Sequence, residues 1–147
     1  MHCPFCGNTK TEVYNSRNTD EKRRIWRRRR CTSCDEAFTT YEASDLSFIR
    51  IVKRDDTQEP YRRSKLLISL YHACTGLDEH LEALDGLAGT IEGHLLSLRK
   101  QEITTEEIAM VVLDTLKRFH PSPYVRYLSY RGDISSSTEL RQLTTKL

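Results

Sequence analysis

No stretch of this 147-residue chain approaches the run of about twenty apolar residues that a bilayer-crossing helix needs, so we expect no membrane partner. The opening Met1-His2-Cys3-Pro4 lacks the basic and apolar regions of a secretory signal. The expected compartment is therefore a reducing cytoplasm, in which thiols stay thiols. Neither charge sign dominates, with 23 Lys and Arg against 21 Asp and Glu, which excludes a uniformly basic or acidic tail protein. There is no low-complexity tract and no repeat, and no Walker-type glycine loop to cradle phosphates. A nucleophile–base pair and a radical-site glycine or cysteine motif are also missing, so we do not expect an enzyme. With 37% hydrophobic residues, the chain can bury one ordinary core and carry one small appendage needing other support.

That support is visible in the cysteines. Four of the five form two C-x-x-C pairs, Cys3-Pro4-Phe5-Cys6 and Cys31-Thr32-Ser33-Cys34, separated by 24 residues. Each turn can aim two thiolates at one point, and two turns complete a closed tetrahedral Zn2+ site with Cys3, Cys6, Cys31 and Cys34 as ligands. Two disulfides are the rival in an oxidising compartment. A thioredoxin-like redox pair would need one C-x-x-C beside a βαβ pattern, and these pairs lie in a polar, helix-poor stretch. Four thiolates leave no open coordination position, so the zinc is structural. Cys74 stands apart in an apolar helical pattern and reads as a small core residue.

Positive charge is local. Residues 1 to 45 carry 9 Lys and Arg against 7 Asp and Glu, and the remainder is balanced at 14 against 14. Lys22, Arg23, Arg24 and Arg27 to Arg30 place seven cations in nine residues, and the run ends at Cys31. A solvated charge run is the ordinary reading of such a stretch. Anchored to a metal ligand, however, Arg27, Arg28, Arg29 and Arg30 become part of a rigid surface, with two on each face of a strand. Guanidinium forks match phosphate oxygens and base edges. Trp26 beside them is a stacking or packing group.

Residues 1 to 45 read as a ribbon of short antiparallel strands, with Ala37 to Tyr41 β-prone. A second unit opens with a strand over residues 47–53, a polar turn at Asp55 to Gln58 and an extended Glu59-Pro60-Tyr61, which together form a hairpin. Helices follow. The first carries Leu66, Leu67, Leu70, Tyr71 and Cys74, with Ser64 as N-cap and Gly76 as stop. The second carries Leu81, Leu84, Ala88, Ile91, Leu95 and Leu98 at the same period. Its three interior glycines, at about 1 kcal/mol each, leave tertiary packing to hold it. A third starts at a Thr104/Glu107 capping box, presents Ile108, Val111, Val112, Leu116 and Phe119, and ends before Pro121. A short helix follows Pro123, and Ser135 onward extends as a short helix or frays. The fold class is thus α+β. Lys53, Arg54, Arg63 and Lys65 cluster near a strand and a helix start, where backbone N–H groups also favour anions. Surface ion pairing is the alternative use of those four side chains.

The motifs Met1-His2-Cys3-Pro4-Phe5-Cys6-Gly7, Asn15-Ser16-Arg17, Arg27 to Cys31 and Cys34 to Glu42 together resemble the zinc ribbon of the NrdR family, bacterial repressors of ribonucleotide reductase genes. Val52-Lys53-Arg54-Asp55, Glu59-Pro60-Tyr61, Ser64-Lys65-Leu66, Ala73-Cys74 and Tyr124-Val125-Arg126-Tyr127 resemble the ATP-cone, a nucleotide-binding domain also found on those reductases. The resemblance covers nearly the whole chain and implies a DNA-binding zinc ribbon at 1–45, an ATP-cone for nucleotide binding and oligomerisation at 46–136, and a tail at 137–147. It implies ATP and dATP as effectors, a nucleotide-dependent homo-oligomer, and double-stranded operator DNA upstream of ribonucleotide reductase genes as partner, in the bacterial cytoplasm at the nucleoid. Arg17, Arg27, Arg28, Arg29, Arg30, Thr39 and Thr40 would contact DNA. Val52 would meet the adenine, while Lys53, Arg54 and Lys65 would contact phosphates or ribose. Glu59 would order the hairpin, and Tyr130 would lie near a second nucleotide. The chain departs from the family pattern with Asp55-Asp56 where glycine is usual in the hairpin turn, with Asn15 where aspartate is usual, and with a shorter Leu128-Ser129-Tyr130-Arg131 segment.

Two further readings predict different behaviour. An allosteric nucleotide-binding subunit or fragment of a ribonucleotide reductase would form a stable complex with a large catalytic chain. A general zinc-ribbon binder of RNA or the transcription machinery would prefer single strands.

Overall fold

The computed structural model describes residues 1–19, 24–77 and 80–131. Lys22 and Arg23, the segment from Ser135 and the tail 137–147 lie outside the described residues, as do the side chains at 80–82, Leu81 among them. The chain divides into two compact units, Met1–Asp45 and Leu46–Leu147.

The first unit is one antiparallel sheet in the order β1-β2-β3, formed by β1 (Thr11–Thr19), β2 (Arg24–Cys31) and β3 (Ala37–Ala43). The arginine strand is central, so each of its residues has a neighbour on both sides: Arg28 faces Asn15 and Thr39, and Arg27 faces Ser16 and Thr40. A bulge between Val13 and Asn15 inserts Tyr14 as an extra residue in β1. Among the described residues of this unit, Cys3 and Cys31 are the only buried hydrophobic side chains. A three-stranded sheet without an apolar core cannot offset its chain entropy by burial alone, so the cysteine cluster has to hold it.

The second unit has its own core. A small sheet in the order β5-β4-β6 places β4 (Arg50–Val52) between β5 (Gln58–Pro60), antiparallel, and β6 (Glu102–Thr104), parallel. Between β5 and β6 run α1 (Arg63–Cys74) and α2 (His80–Ser97), and after β6 come α3 (Thr105–Phe119) and α4 (Pro121–Tyr130). Helix α1 packs on α2 and α4, and α3 packs on the same two, closing a four-helix ring. Leu70, Ile91, Leu95, Val112 and Leu116 fill the ring, and Ile49, Ile51 and Ile103 extend the same cluster from the sheet.

Polar links tie these elements at their ends. The Thr104 hydroxyl accepts from the Glu107 N–H at 3.1 Å while the Glu107 carboxylate accepts from the Thr104 N–H at 2.9 Å, so the expected capping box is present. Arg126 of α4 donates to the carbonyls of Ala73 and Thr75, which the end of α1 leaves without helical partners. Arg63 donates to Glu92 and Asp85 of α2, and the Tyr61 hydroxyl donates to Glu92 at 3.0 Å, joining the hairpin to the helices. Burial, and then the Glu92 charge, push the Tyr61 phenol up.

The structure corrects several expectations. The strand expected over 47–53 is only Arg50–Val52, because Ser47 and Phe48 form a turn closed by Ile49 N–H to the Leu46 carbonyl. Ser64 is not the N-cap of α1: the helix starts at Arg63 with Arg62 in the cap position and no side-chain cap. Helix α4 starts at Pro121, not after Pro123, because the His120 ring accepts from the Ser122 N–H and caps it. Strand β6 was not foreseen at all. Three residues ahead of a capping box carry no period, and only the parallel pairing with β4 makes them a strand. Tyr71, Leu98 and Phe119 fit the helical period but are exposed. The hairpin turn is the converse case: Asp56 adopts φ of +60°, and the Asp55 carboxylate accepts from both the N–H and the hydroxyl of Thr57, so aspartates build the turn without glycine.

Thr104→Ala removes a cap at the junction of β6 and α3 and should cost about 1 kcal/mol of unfolding free energy in a denaturant titration. Lys100, and then the Thr104 N–H, hold the Glu107 carboxyl below its ordinary range. Its contribution is therefore present above the ordinary glutamate range and is lost as pH falls through the lowered native value, whereas the Thr104→Ala deficit, which comes from a neutral hydroxyl, should stay nearly constant over the same window.

Candidate metal centre and ligand surfaces

The two cysteine turns are built alike. In the first, Gly7 N–H donates to the Cys3 carbonyl, Cys3 N–H donates to the Asn8 carbonyl, and Phe5 N–H points at the Cys3 sulfur. In the second, Asp35, Glu36 and Ser33 occupy the corresponding places around Cys31. The residue after each second cysteine is left-handed, Gly7 at φ +74° and Asp35 at +61°. Glycine and aspartate both tolerate that region.

These turns bring all four Sγ atoms within 4.8 Å of one another, with Cys3–Cys34 at 3.7 Å and Cys6–Cys31 at 3.6 Å. A zinc–sulfur bond of about 2.3 Å gives a tetrahedron edge of about 3.8 Å. The donor set therefore fits a closed Zn2+ site. Electrostatics agree. Backbone N–H groups of Cys34 and Ser33 pull the Cys31 thiol down to about 6. At Cys34 the Glu36 N–H acts in the same direction, but lost hydration and the neighbouring sulfurs outweigh it and push that thiol up. Crowded sulfurs cannot all ionise without a cation between them, and a zinc dication removes that conflict.

The arginines alternate as a strand requires. Arg28 donates to the Thr39 hydroxyl at 3.0 Å and to the Tyr14 hydroxyl, and the Arg30 guanidinium lies over the Tyr14 ring, 5.4 Å from its centre. Arg17 stacks 4.4 Å above Trp26. On the other face Arg27 is paired with Glu42 at 2.7 Å, and Arg29 donates to the hydroxyls of Thr40 and Thr11. The residues singled out in the ribbon are therefore brought onto one sheet but divided between its faces. Tyr14, Thr11 and Glu42 escaped the sequence reading because only the register and the bulge put them beside the arginines.

In the second unit Glu59 joins Lys53 and Lys65: Lys65 Nζ lies 2.6 Å from both carboxylate oxygens and Lys53 Nζ 3.3 Å from one. Lys65, then Lys53, hold the Glu59 carboxyl below its ordinary range. Val52 ends β4 in register with Gln58 and Thr104, and Arg54 pairs with Glu106 at 2.9 Å in the first turn of α3. Arg63 belongs to the Glu92 and Asp85 ion pairs, the bland reading of that residue. Tyr130 lies on α4, where its ring stacks on His72 of α1 with the ring centres 6.1 Å apart. Glu106 was missed because its partner is 52 residues away in sequence and meets it only through the β4–β6 pairing.

A tetrathiolate ribbon with a cationic aromatic sheet, followed by a helical unit with lysines at the end of a three-stranded sheet, makes this a zinc-ribbon protein with an appended helical domain. The profile described as "Transcriptional repressor NrdR-like, N-terminal domain" matches residues 1–42, and the ATP cone domain profile matches residues 49–133. The chain is 33% identical over its full length to a protein named Transcriptional repressor NrdR from Gloeothece citriformis, of which 82% is covered. It is 42% identical over 88% of its length to the protein of that name from Bordetella avium, with 81% of that protein covered. The corresponding protein of Alkaliphilus oremlandii is 38% identical over 88% of the chain, with 84% covered. The chain belongs to the NrdR family of transcriptional repressors.

Cys31→Ser should lower bound zinc below one per chain and abolish the ordered ribbon. The helical unit, which has its own core, should keep its cooperative thermal transition. Metal analysis alongside circular dichroism melting tests both outcomes.

Proposed function

We propose that this protein represses ribonucleotide reductase genes by binding operator DNA through its zinc ribbon, under control of ATP and dATP bound in its cone. The observation that carries this reading is the pairing, in one chain, of an arginine strand tied to a tetrathiolate centre with a cone whose Lys53 and Lys65 converge on one carboxylate. Zinc, when bound, supplies the fixed cross-link that keeps the knuckles and the strand end rigid. Cys3, Cys6, Cys31 and Cys34 hold it, and arginines of the sheet that its own side chains do not neutralise meet the phosphates.

In the cone, Val52 packs against the purine, and Lys53, Arg54 and Lys65 receive the phosphates or ribose. Glu59 pairs with the two lysines that a triphosphate would engage. Tyr130, with its ring stacked on His72, is the candidate contact of a second nucleotide. ATP and dATP differ by one hydroxyl, so the response requires each to stabilise a different assembly of cones. Equal affinity for all assemblies would shift nothing. The assembly in turn sets the spacing of ribbons against operator half-sites. On this reading the protein acts in the bacterial cytoplasm, as a regulator with no catalytic step of its own.

The zinc-loaded protein should bind duplex DNA from upstream of reductase genes with an affinity that changes at least tenfold between ATP and dATP at fixed salt, about 1.4 kcal/mol of coupling. Lys65→Ala should abolish that difference and leave zinc content unchanged. An affinity indifferent to both purines, in a protein that binds neither by calorimetry, would refute nucleotide control.

A further inference from the structure

We infer that the two faces of the ribbon sheet are not equivalent, and that duplex DNA docks on the face bearing Tyr14, Arg17, Trp26, Arg28 and Arg30, while Arg27 and Arg29 serve the sheet itself. The inference deepens the DNA-binding reading and rests on it.

Register and alternation divide the strands. Positions paired through Arg17–Trp26, Asn15–Arg28–Thr39 and Glu12–Arg30 share one face. Positions paired through Ser16–Arg27–Thr40 and Val13–Arg29–Phe38 share the other. The strands put Arg17, Arg24, Arg28 and Arg30 on the first face against the single carboxylate of Glu12. The second face carries Arg27 and Arg29 against Glu42. Net charge alone therefore favours a polyanion on the first face.

The side-chain contacts sharpen the contrast. Arg27 is already neutralised by Glu42, and its side chain is only 29% exposed. Arg29 is bracketed by hydroxyls of both flanking strands and shares its face with Val13, Ile25 and Phe38, whose apolar surface its stem can cover. Arg30 is 57% exposed, with Asp35 at 3.6 Å as a loose carboxylate neighbour. Its guanidinium and that of Arg28 are both oriented by one ring, that of Tyr14, which is itself 55% exposed. The β1 bulge places that ring there, an extra residue that re-aims a side chain between two cations. Arg28 spends part of its fork on Thr39 and Tyr14, and a guanidinium has further N–H groups to offer. Pre-oriented guanidinium planes lose less freedom on meeting phosphates or base edges than solvated ones do. Thr39, opposite Arg28, belongs to this docking face, and Thr40 does not.

The test measures the affinity of a labelled 30-base-pair duplex for the full-length zinc-loaded chain across a series of salt concentrations, in whichever nucleotide condition binds tightest. Arg28→Gln with Arg30→Gln should lower the slope of log affinity against log salt by about 1.8, the value for two phosphate contacts. Tyr14→Ala should weaken binding severalfold at one salt. Arg27→Gln with Arg29→Gln should leave the slope unchanged, although it lowers the melting temperature of the ribbon. Zinc content controls for folding in each variant, and if a double variant loses metal, Arg30→Gln against Arg29→Gln makes the same comparison singly. A slope that falls for Arg27 and Arg29 but not for Arg28 and Arg30, or equally for both, overturns the assignment. Tighter binding of a single-stranded RNA of the same length also overturns it, in favour of an RNA surface. A wild-type chain that binds no duplex at any salt refutes the DNA-binding reading itself and the docking face with it.

Discussion

Four sulfur atoms converging on one point do for residues 1–45 what a hydrophobic core does elsewhere. The sheet buries no apolar side chain among its described residues except two of those cysteines, so its order has to come from cross-linking. Each knuckle gives its backbone N–H groups to sulfur and turns through a left-handed residue, which sends the chain into or out of a strand at a defined angle. Because Cys31 is both a ligand and the last residue of β2, the cross-link is transmitted directly to the arginines that precede it. A basic stretch that would otherwise be a mobile, solvated run becomes a surface with a fixed register, and only a fixed surface can treat its two faces differently.

The helical unit works by a different constraint. Its small sheet is held together by one short strand, β4, which joins a hairpin on one side to a strand from far along the chain on the other. Lys53 and Arg54 follow β4 directly, Glu59 sits on β5, Lys65 on the first turn of α1, and Glu106 on the first turn of α3. Everything the cone presents around that strand end comes from a different element. The ion pairs there are exposed and individually weak. Their value lies in positioning, since Glu59 keeps two lysine side chains together that would otherwise repel each other.

Much of this was legible beforehand, for reasons that differ residue by residue. The cysteine spacing specified the metal site because chemistry admits few uses for four thiols in two tight turns. The Thr104–Glu107 box was readable because a cap is a local event three residues long. The period of α3 located Val112 and Leu116 correctly but also enrolled Phe119, which the structure leaves exposed at the helix end. Ser64 looked like a cap by type, yet the helix begins one residue earlier. Chain entry from β5 sets the start of α1, and residue type does not.

The pattern separating these successes from these failures is the range of the interaction involved. Ligand identity, helix period, the capping box and the alternation of four arginines about a strand depend on neighbours within a few residues, so they are already present in the order of amino acids. Strand β6, the Arg54–Glu106 pair, the clamp of Arg126 on the end of α1 and the bulge that lifts Tyr14 between Arg28 and Arg30 exist only because distant segments pair in one register. A strand's faces are a matter of parity, readable from the sequence. Which face is neutralised by its own sheet and which is left to meet another molecule depends on what the neighbouring strands carry opposite it, and three-dimensional pairing alone decides that.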